Sequence, residues 1–342
     1  MWISKLAGDS AWAKYALLWS SLQAVLIVAL EAVIFVLHRE ETLMIQEAVG
    51  PAAVFLLSKG IVAENDDKYL VFQIARALSV YHVLFMVAQF FQLALLCDAV
   101  YHKNTIQIIA TVVFGIAMVA YAGVQIKQAS DILDKSQPLP SAILDIFRTN
   151  NNPYHASLPY EIAVIVLMVL FSAVFIFMAY KLYKEFGWSI YKKIGADLQM
   201  RDMYKVYQLF IMILKFDIFF WLGFSAQFLT VVWLQSQEVA FGQEIVRSSD
   251  VLSRKDFINI MVMHLVLSTG ASIVLPMLAW WGLKRESKIA MSCFLTAGLA
   301  TLVYNVMKLH QVFTEQQRFD GANKFLTFFC KLSMKASRPT IK

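Results

Sequence analysis

Long apolar runs alternate along this chain with short gaps that gather most of its charge. A bilayer core takes about 20 consecutive apolar residues per helix. Seven runs meet that requirement, at 15–37, 78–101, 105–124, 162–180, 206–234, 258–283 and 289–307. The pattern predicts an all-α fold, a polytopic transmembrane helical bundle of seven spans. The run 49–62 contains Gly50, Pro51 and Lys59 and is too short to cross, so it reads as a separate interfacial or lumenal helix. The layout divides into an amino-terminal segment 1–14, a helical domain 15–307 and a peripheral basic tail 308–342.

Orientation follows from Lys and Arg in the short gaps. His102 and Lys103, then Lys181, Lys184, Lys192, Lys193 and Arg201, then Lys284, Arg285 and Lys288 all fall in even-numbered gaps, which should share the cytosolic side. The first gap is acidic, with Glu40, Glu41, Glu47, Glu64, Asp66 and Asp67, and suits a lumenal face. The amino terminus is then cytosolic. The basic tail, with Arg318, Lys324, Lys331, Lys335, Arg338 and Lys342, conflicts with an odd number of spans. The run 325–330 is too short to add another, so the expectation is seven spans with 312–342 peripheral and 333–342 poorly ordered.

Composition narrows the function classes. Hydrophobic residues make up 59% of the chain and charged residues 16%, against roughly a quarter charged in soluble domains. The net charge of +6 is explained by basic loops, without a basic soluble domain for nucleic acid. Cys97, Cys293 and Cys330 make neither a disulfide framework nor a metal set. The first apolar run lacks a cleavage pattern and reads as a retained anchor. No catalytic, metal-binding or cofactor-binding residues are expected, and no cofactor.

Ionisable groups inside spans are expensive and therefore candidates for function. Glu31, deep in the first span, can pair with Arg76 at the start of the second. Asp98, Lys215 and Asp217 lie at matching depth and could share a polar cluster with Gln89 and Gln92. Lys215 and Asp217, two residues apart, point about 200° from one another and need separate partners. His264 shares the sixth span with Pro276, which bends a helix. Ser292, Thr296 and Ala300 form a small-residue stripe suited to close packing, and Trp188, Trp221, Trp233, Trp280 and Trp281 suit an interfacial belt. The gap 181–205 interleaves Phe186, Trp188 and Tyr191 with Lys184, Lys192, Lys193 and Arg201. That pattern lies on anionic lipid, or else it continues the flanking helices.

The run KLYKEFGWSIYKKIGADLQMRDMYKVYQLF, followed by LKFDIFFWLGFSAQF, resembles an uncharacterised fungal family of multi-spanning Golgi apparatus membrane proteins, as do FFQLALLCDAVYHKNTIQIIA and LAWWGLKRESK. The resemblance implies a Golgi or related endomembrane location and no catalytic residue. The family continues into another hydrophobic helix where this chain has FLTFFCKLSMKASRPTIK, so an eighth span is missing by comparison.

The leading expectation is a non-enzymatic Golgi membrane protein acting in membrane organisation or trafficking, with the bilayer and anionic cytosolic lipids as partners. The alternative is a proton- or ion-coupled transporter using Asp98, Lys215 and Asp217. A heptahelical receptor comes third, disfavoured by the lack of Asp-Arg-Tyr after the third span and of Asn-Pro-x-x-Tyr in the seventh. Intramembrane enzyme motifs such as His-Glu-x-x-His are absent too.

Overall fold

In hydrocarbon every backbone N–H and C=O must be satisfied within the chain, which leaves helices as the solution for apolar runs of this length. The computed structural model describes residues 7–8, 10–58, 67–135, 153–195, 197–240, 245–247, 250–252 and 254–314. Five long helices come first: α1 (Ala11–Ser58), α2 (Asp67–Tyr101), α3 (Thr105–Lys135), α4 (Pro153–Ile194) and α5 (Leu198–Ala240). A short hairpin of β1 (Ile245–Arg247) and β2 (Asp250–Leu252) follows, paired antiparallel with Val246 opposite Val251. The sixth span is composite, α6 (Arg254–His264), a π-helical turn Leu265–Gly270 and α7 (Ala271–Lys284), and α8 (Lys288–Thr314) is the seventh. Seven helical segments among the described residues are long and apolar enough to cross a membrane.

One expectation about the helices changes. The run 49–62 is not a separate helix over its described part, because α1 continues unbroken through Pro51 to Ser58. At 48 residues and a rise of 1.5 Å each, α1 is roughly 72 Å long, more than twice the apolar core it would cross. In the gap 181–205 the flanking helices continue, one to Ile194 and the next from Leu198, the second of the two readings the pattern allowed. Gly195 takes a left-handed φ of 74° that ends α4. Asp197 then caps α5, its Oδ1 accepting from the backbone N–H groups of Gln199 at 2.9 Å and Met200 at 3.1 Å. The tail 315–342 lies outside the described residues.

The chain divides into two compact units, Met1–Met212 and Ile213–Lys342. In the first, α1 packs on α2 and α4, and α3 packs on the same two, so the four helices close into a ring. The corner between α2 and α3 is tight. Lys103 sits at a left-handed φ of 51°, and buried Asn104 accepts from the N–H of Gln107 at 3.0 Å. Lys103 Nζ donates to Ser189 Oγ at 3.5 Å, so this corner and the basic end of α4 share one end of the unit. Small residues Ala13, Ala16, Ala99 and Ala179 let the helices approach there around Leu17, Leu96, Ile108, Phe175 and Leu182.

The outside of this unit is apolar. Val25, Leu26, Val36, Val87, Phe90, Val113 and Val166 are exposed, while Gln23, Glu31, His38, His82, Gln89, Gln92 and Glu161 are buried. A water-soluble bundle would show the reverse arrangement. Polar side chains facing inward and aliphatic ones facing outward is the distribution a lipid solvent selects.

In the second unit the corner between α7 and α8 repeats the logic of the first. Glu286 is left-handed at 51°, and Ser287 Oγ accepts from the N–H of Ala290 at 3.3 Å. Gly282 permits the close approach, since a Cβ there would meet that of Ala290 at 3.1 Å. Pro276 lies buried in α7 and clashes with continuous α-helical geometry four residues back, just after the π turn. Ser292, Thr296 and Ala300 are exposed, so the expected packing stripe is not used within this unit. Instead Ala290, Thr301 and Asn305 form the buried face of α8.

Candidate functional site

The ring of four helices encloses an unusual interior. On α1, Glu31 and His38 are seven residues apart, two turns and roughly 10 Å along one face. On α2, His82 and Gln89 repeat this spacing, and α4 contributes Ser157 and Glu161 one turn apart. These side chains meet in two pairs. His82 Nδ1 lies 2.8 Å from Glu31 Oε2, and His38 Nε2 lies 2.8 Å from Glu161 Oε1. The imidazoles of His38 and His82 stack at 5.1 Å between centroids with 15° between planes, so the pairs form one centre. Ser157 donates to Glu161 Oε1 at 3.1 Å, and Gln125 Nε2 approaches His82 Nδ1 at 3.5 Å. All four ionisable groups are at most 5% exposed.

Glu31 meets His82, and its expected pairing with Arg76 falls on a side chain outside those described. His38 and Glu161 escape a reading of apolar runs because each lies just beyond an apolar run, one after position 37 and one before 162, whereas the helices continue past both. The seven-residue repeat of polar positions was the signal that could have found them.

Chemically, each imidazole–carboxylate pair can hold one proton in its hydrogen bond and take up a second. His82 Nε2 and Glu161 Oε2 are buried with no hydrogen-bond partner among the described residues. A bare polar atom in a low-dielectric interior is costly, and protonation or a bound water is what relieves it. With both rings charged, two imidazoliums 5.1 Å apart would repel by about 3 kcal/mol at an effective dielectric near 20. The neighbouring carboxylates offset that repulsion.

Towards the basic end lies a second polar layer. Gln23 Nε2 donates to Gln89 Oε1 at 3.2 Å and Gln92 Oε1 at 3.4 Å, and lies 3.6 Å from Met168 Sδ. Gly115 makes room for it, because a Cβ there would come 3.0 Å from Gln92 Nε2 and 3.7 Å from Ser172 Oγ. Near the corner, Gln107 Nε2 donates to Asp98 Oδ2 at 2.8 Å and to the Leu95 carbonyl at 2.7 Å. His102 Nδ1 lies 3.3 Å from Asp98 Oδ1. Asp98 thus has partners within its own unit, while Lys215 and Asp217 are half-buried in the second unit.

The second unit carries a smaller cluster. His264 Nδ1 lies 3.1 Å from the Tyr304 hydroxyl, and its ring sits 4.4 Å from that of Phe228. Lys308 Nζ lies 5.3 Å from the Phe228 centroid. The π turn presents Ser268, which bonds Ser225 at 3.1 Å and Asn305 at 3.4 Å. No group of side chains suited to holding a metal occurs among the described residues.

The lipid-surface candidates lie on the ends of α4 and α5. Lys184 and Lys192 reach over the rings of Tyr180 and Trp188 at 4.6 Å and 5.3 Å. Trp188 stacks on Tyr191, and Arg201 is exposed. Lys193 is placed in α4 by its backbone. Trp188, Trp233, Trp280 and Trp281 are exposed as a belt requires, whereas Trp221 is buried.

Comparison with known proteins gives one relative to report. The chain is 35% identical over 164 residues to a UPF0658 Golgi apparatus membrane protein of Schizosaccharomyces pombe, a match covering 44% of this chain and 46% of that protein. The match thus spans about half of the relative's length. The similarity supports the resemblance to a fungal family of multi-spanning Golgi membrane proteins. No protein-family model matches the chain. No solved structure matches it significantly either.

Proposed function

We propose that this multi-spanning protein resides in the Golgi or a related endomembrane and binds and releases protons at its buried His–Glu centre as it works. The observation that carries the reading is the pairing of Glu31 with His82 and of Glu161 with His38, buried within helices whose outer surface is apolar. Ionisable groups in the interior of a membrane helix bundle are costly to keep. Histidine changes charge between roughly pH 5 and 8, which suits compartments of differing acidity. The location rests on the similarity to the Golgi relative. The reading shifts the proton-coupled role from Asp98, Lys215 and Asp217 to a site that the apolar runs concealed.

In this reading the amino terminus and the basic end of the first unit face the cytosol, following the placement of Lys and Arg. Lys184, Lys192 and Arg201 then meet anionic lipid, at about 1 kcal/mol per cation near the surface. A role in membrane organisation would draw on this face, and its specific support is the set of aromatic rings that hold the lysines.

Infrared difference spectra of the full chain in lipid, taken across a pH titration, test the proton reading. The expected result is a carboxyl signal that titrates in the native protein and weakens in both Glu31→Gln and Glu161→Gln. Spectra of these variants identical to the native one would exclude the centre as the titrating group.

A further inference from the structure

The sixth span breaks its helical repeat at one place, in the second unit. A π turn closes its hydrogen bonds on i+5 where an α-helix uses i+4, so it holds one residue more than an α turn. The backbone on both sides of Leu265–Gly270 is ordinary α-helix, with φ −67° and ψ −40° at His264 and φ −61° and ψ −39° at Ala271, which confines the irregularity to that surplus residue. Its effect shows in burial: His264, Ser268 and Ser272 are each 0% exposed. In an unbroken α-helix, positions eight apart fall about 80° apart around the axis. The π turn is what brings these three polar side chains onto one inward line. Ser268 then reaches Ser225 of α5 and Asn305 of α8, and Ser272 Oγ donates to the Thr269 carbonyl at 2.8 Å.

That arrangement is not fully satisfied. His264 Nε2 and Thr269 Oγ1 are buried with no hydrogen-bond partner among the described residues, a cost that the Ser268 bonds offset. A regular α-helix at the same place restores the i+4 ladder and gives up the Ser268 line. Counted back from Ala271, removal of one residue of surplus register turns the preceding stretch Arg254–His264 by about 100°. Leu265 then takes the inward direction that His264 holds, against Phe228 and Tyr304, and His264 takes the direction of Met263, which is 59% exposed. The far side of the turn stays in place, because α7 is held to α8 where Gly282 meets Ala290 and Ser287 caps the corner.

We propose that the sixth span is a two-state rotary element, whose π state presents His264 and Ser268 to the interior of the second unit and whose α state presents Leu265. Opposing terms hold the two states close: polar bonds among three helices favour the first, and a complete backbone ladder with an apolar inward face favours the second. Gly270 weighs against the α state through its poor helix propensity. A Cβ there would meet nothing nearer than the Leu265 carbonyl oxygen at 3.7 Å, so alanine fits and tips the balance. Pro276 has no N–H for the Ser272 carbonyl, which loosens the ladder beside the turn. The turning stretch follows β2 after a single residue, so a pull on the β1–β2 hairpin is passed to the interior as a rotation.

Magic-angle-spinning NMR of the full chain in lipid, with histidine, leucine and the aromatic residues labelled, reads the two states; His264→Gln and Leu265→Val samples assign the signals. Native protein should show mainly the π state, with the His264 ring in contact with Phe228, 4.4 Å away. Ser268→Ala combined with Gly270→Ala should weaken that contact at least twofold and bring the Leu265 methyls to the Tyr304 ring. Deleting Thr269 in this background removes the surplus residue, so a regular helix points His264 inward again and the contact with Phe228 should return. Deleting Ala297 from α8, where no π turn absorbs the change, should not restore it. A His264–Phe228 contact of native strength in the double variant would overturn the proposal, and so would a weakened contact that deletion of Thr269 leaves weak. Should the double variant fail to fold, Gly270→Ala alone should move both contacts in the same directions by a smaller amount, and no movement there would overturn the proposal equally.

Discussion

Replacing Glu31 with Leu should show what the Glu31–His82 contact contributes. The two side chains meet at 2.8 Å with both about 2 to 3% exposed, so removal of either leaves the other buried without its partner. For a buried ion pair that loss is about 3–5 kcal/mol, whereas removing both with apolar groups of similar size is often nearly neutral. An ordinary hydrogen bond between membrane helices contributes about 0.6 kcal/mol on average and at most about 1.7. The two cases are therefore separable. A double-mutant cycle of Glu31→Leu and His82→Phe, measured by unfolding in bicelles, should give a coupling energy of about 2 kcal/mol or more, within the range seen for groups in contact. Glu31→Gln keeps an acceptor for the imidazole N–H and should cost only about 1 kcal/mol. Losses that simply add in the double mutant would refute the pairing. A coupling near 0.6 kcal/mol would show a neutral hydrogen bond without the shared charge on which proton exchange depends.

Three other outcomes follow from the structure. Gly282→Leu should destabilise the α7–α8 corner, where even a Cβ meets that of Ala290 at 3.1 Å, while Gly298→Ala, with open space around it, should be neutral or mildly stabilising in thermal unfolding. A peptide of residues 181–205 should bind anionic vesicles better than neutral ones, and less at high salt, because screening shortens the reach of its cations; equal binding to both would remove the electrostatic contribution. A cysteine engineered at Ser189, at the basic end of the first unit, should react with an impermeant reagent from the cytosolic side of sealed vesicles, and protection there would invert the proposed topology.

Membrane character and the number of spans were legible in the sequence because the requirement is crude: length and apolarity suffice. Tight corners were legible too, since Lys103 and Glu286 fall in the short charged gaps that a reading of runs isolates. Helix ends were not, because hydropathy marks where the apolar core stops and backbone hydrogen bonding continues past it. That is why α1 extends to Ser58 and α4 to Ile194. The centre was missed for a related reason. Glu31 stood out as a charge in a run, but His82 is only moderately polar and His38 and Glu161 fall just outside the runs. Their association depends on which faces of four helices turn inward, and that follows from packing around Ala13, Ala16, Ala99 and Ala179, which no single run reveals.

The central claim is that protons bind and leave at the stacked His38–His82 pair, and nitrogen NMR of histidine-labelled full chain in lipid tests it most directly. His38→Gln and His82→Gln samples assign the two rings. The account predicts that both rings change protonation state as the pH is varied, and that removing one ring alters the response of the other, because they stack at 5.1 Å. Rings that keep one tautomer and one charge at every pH where the protein stays folded would contradict it.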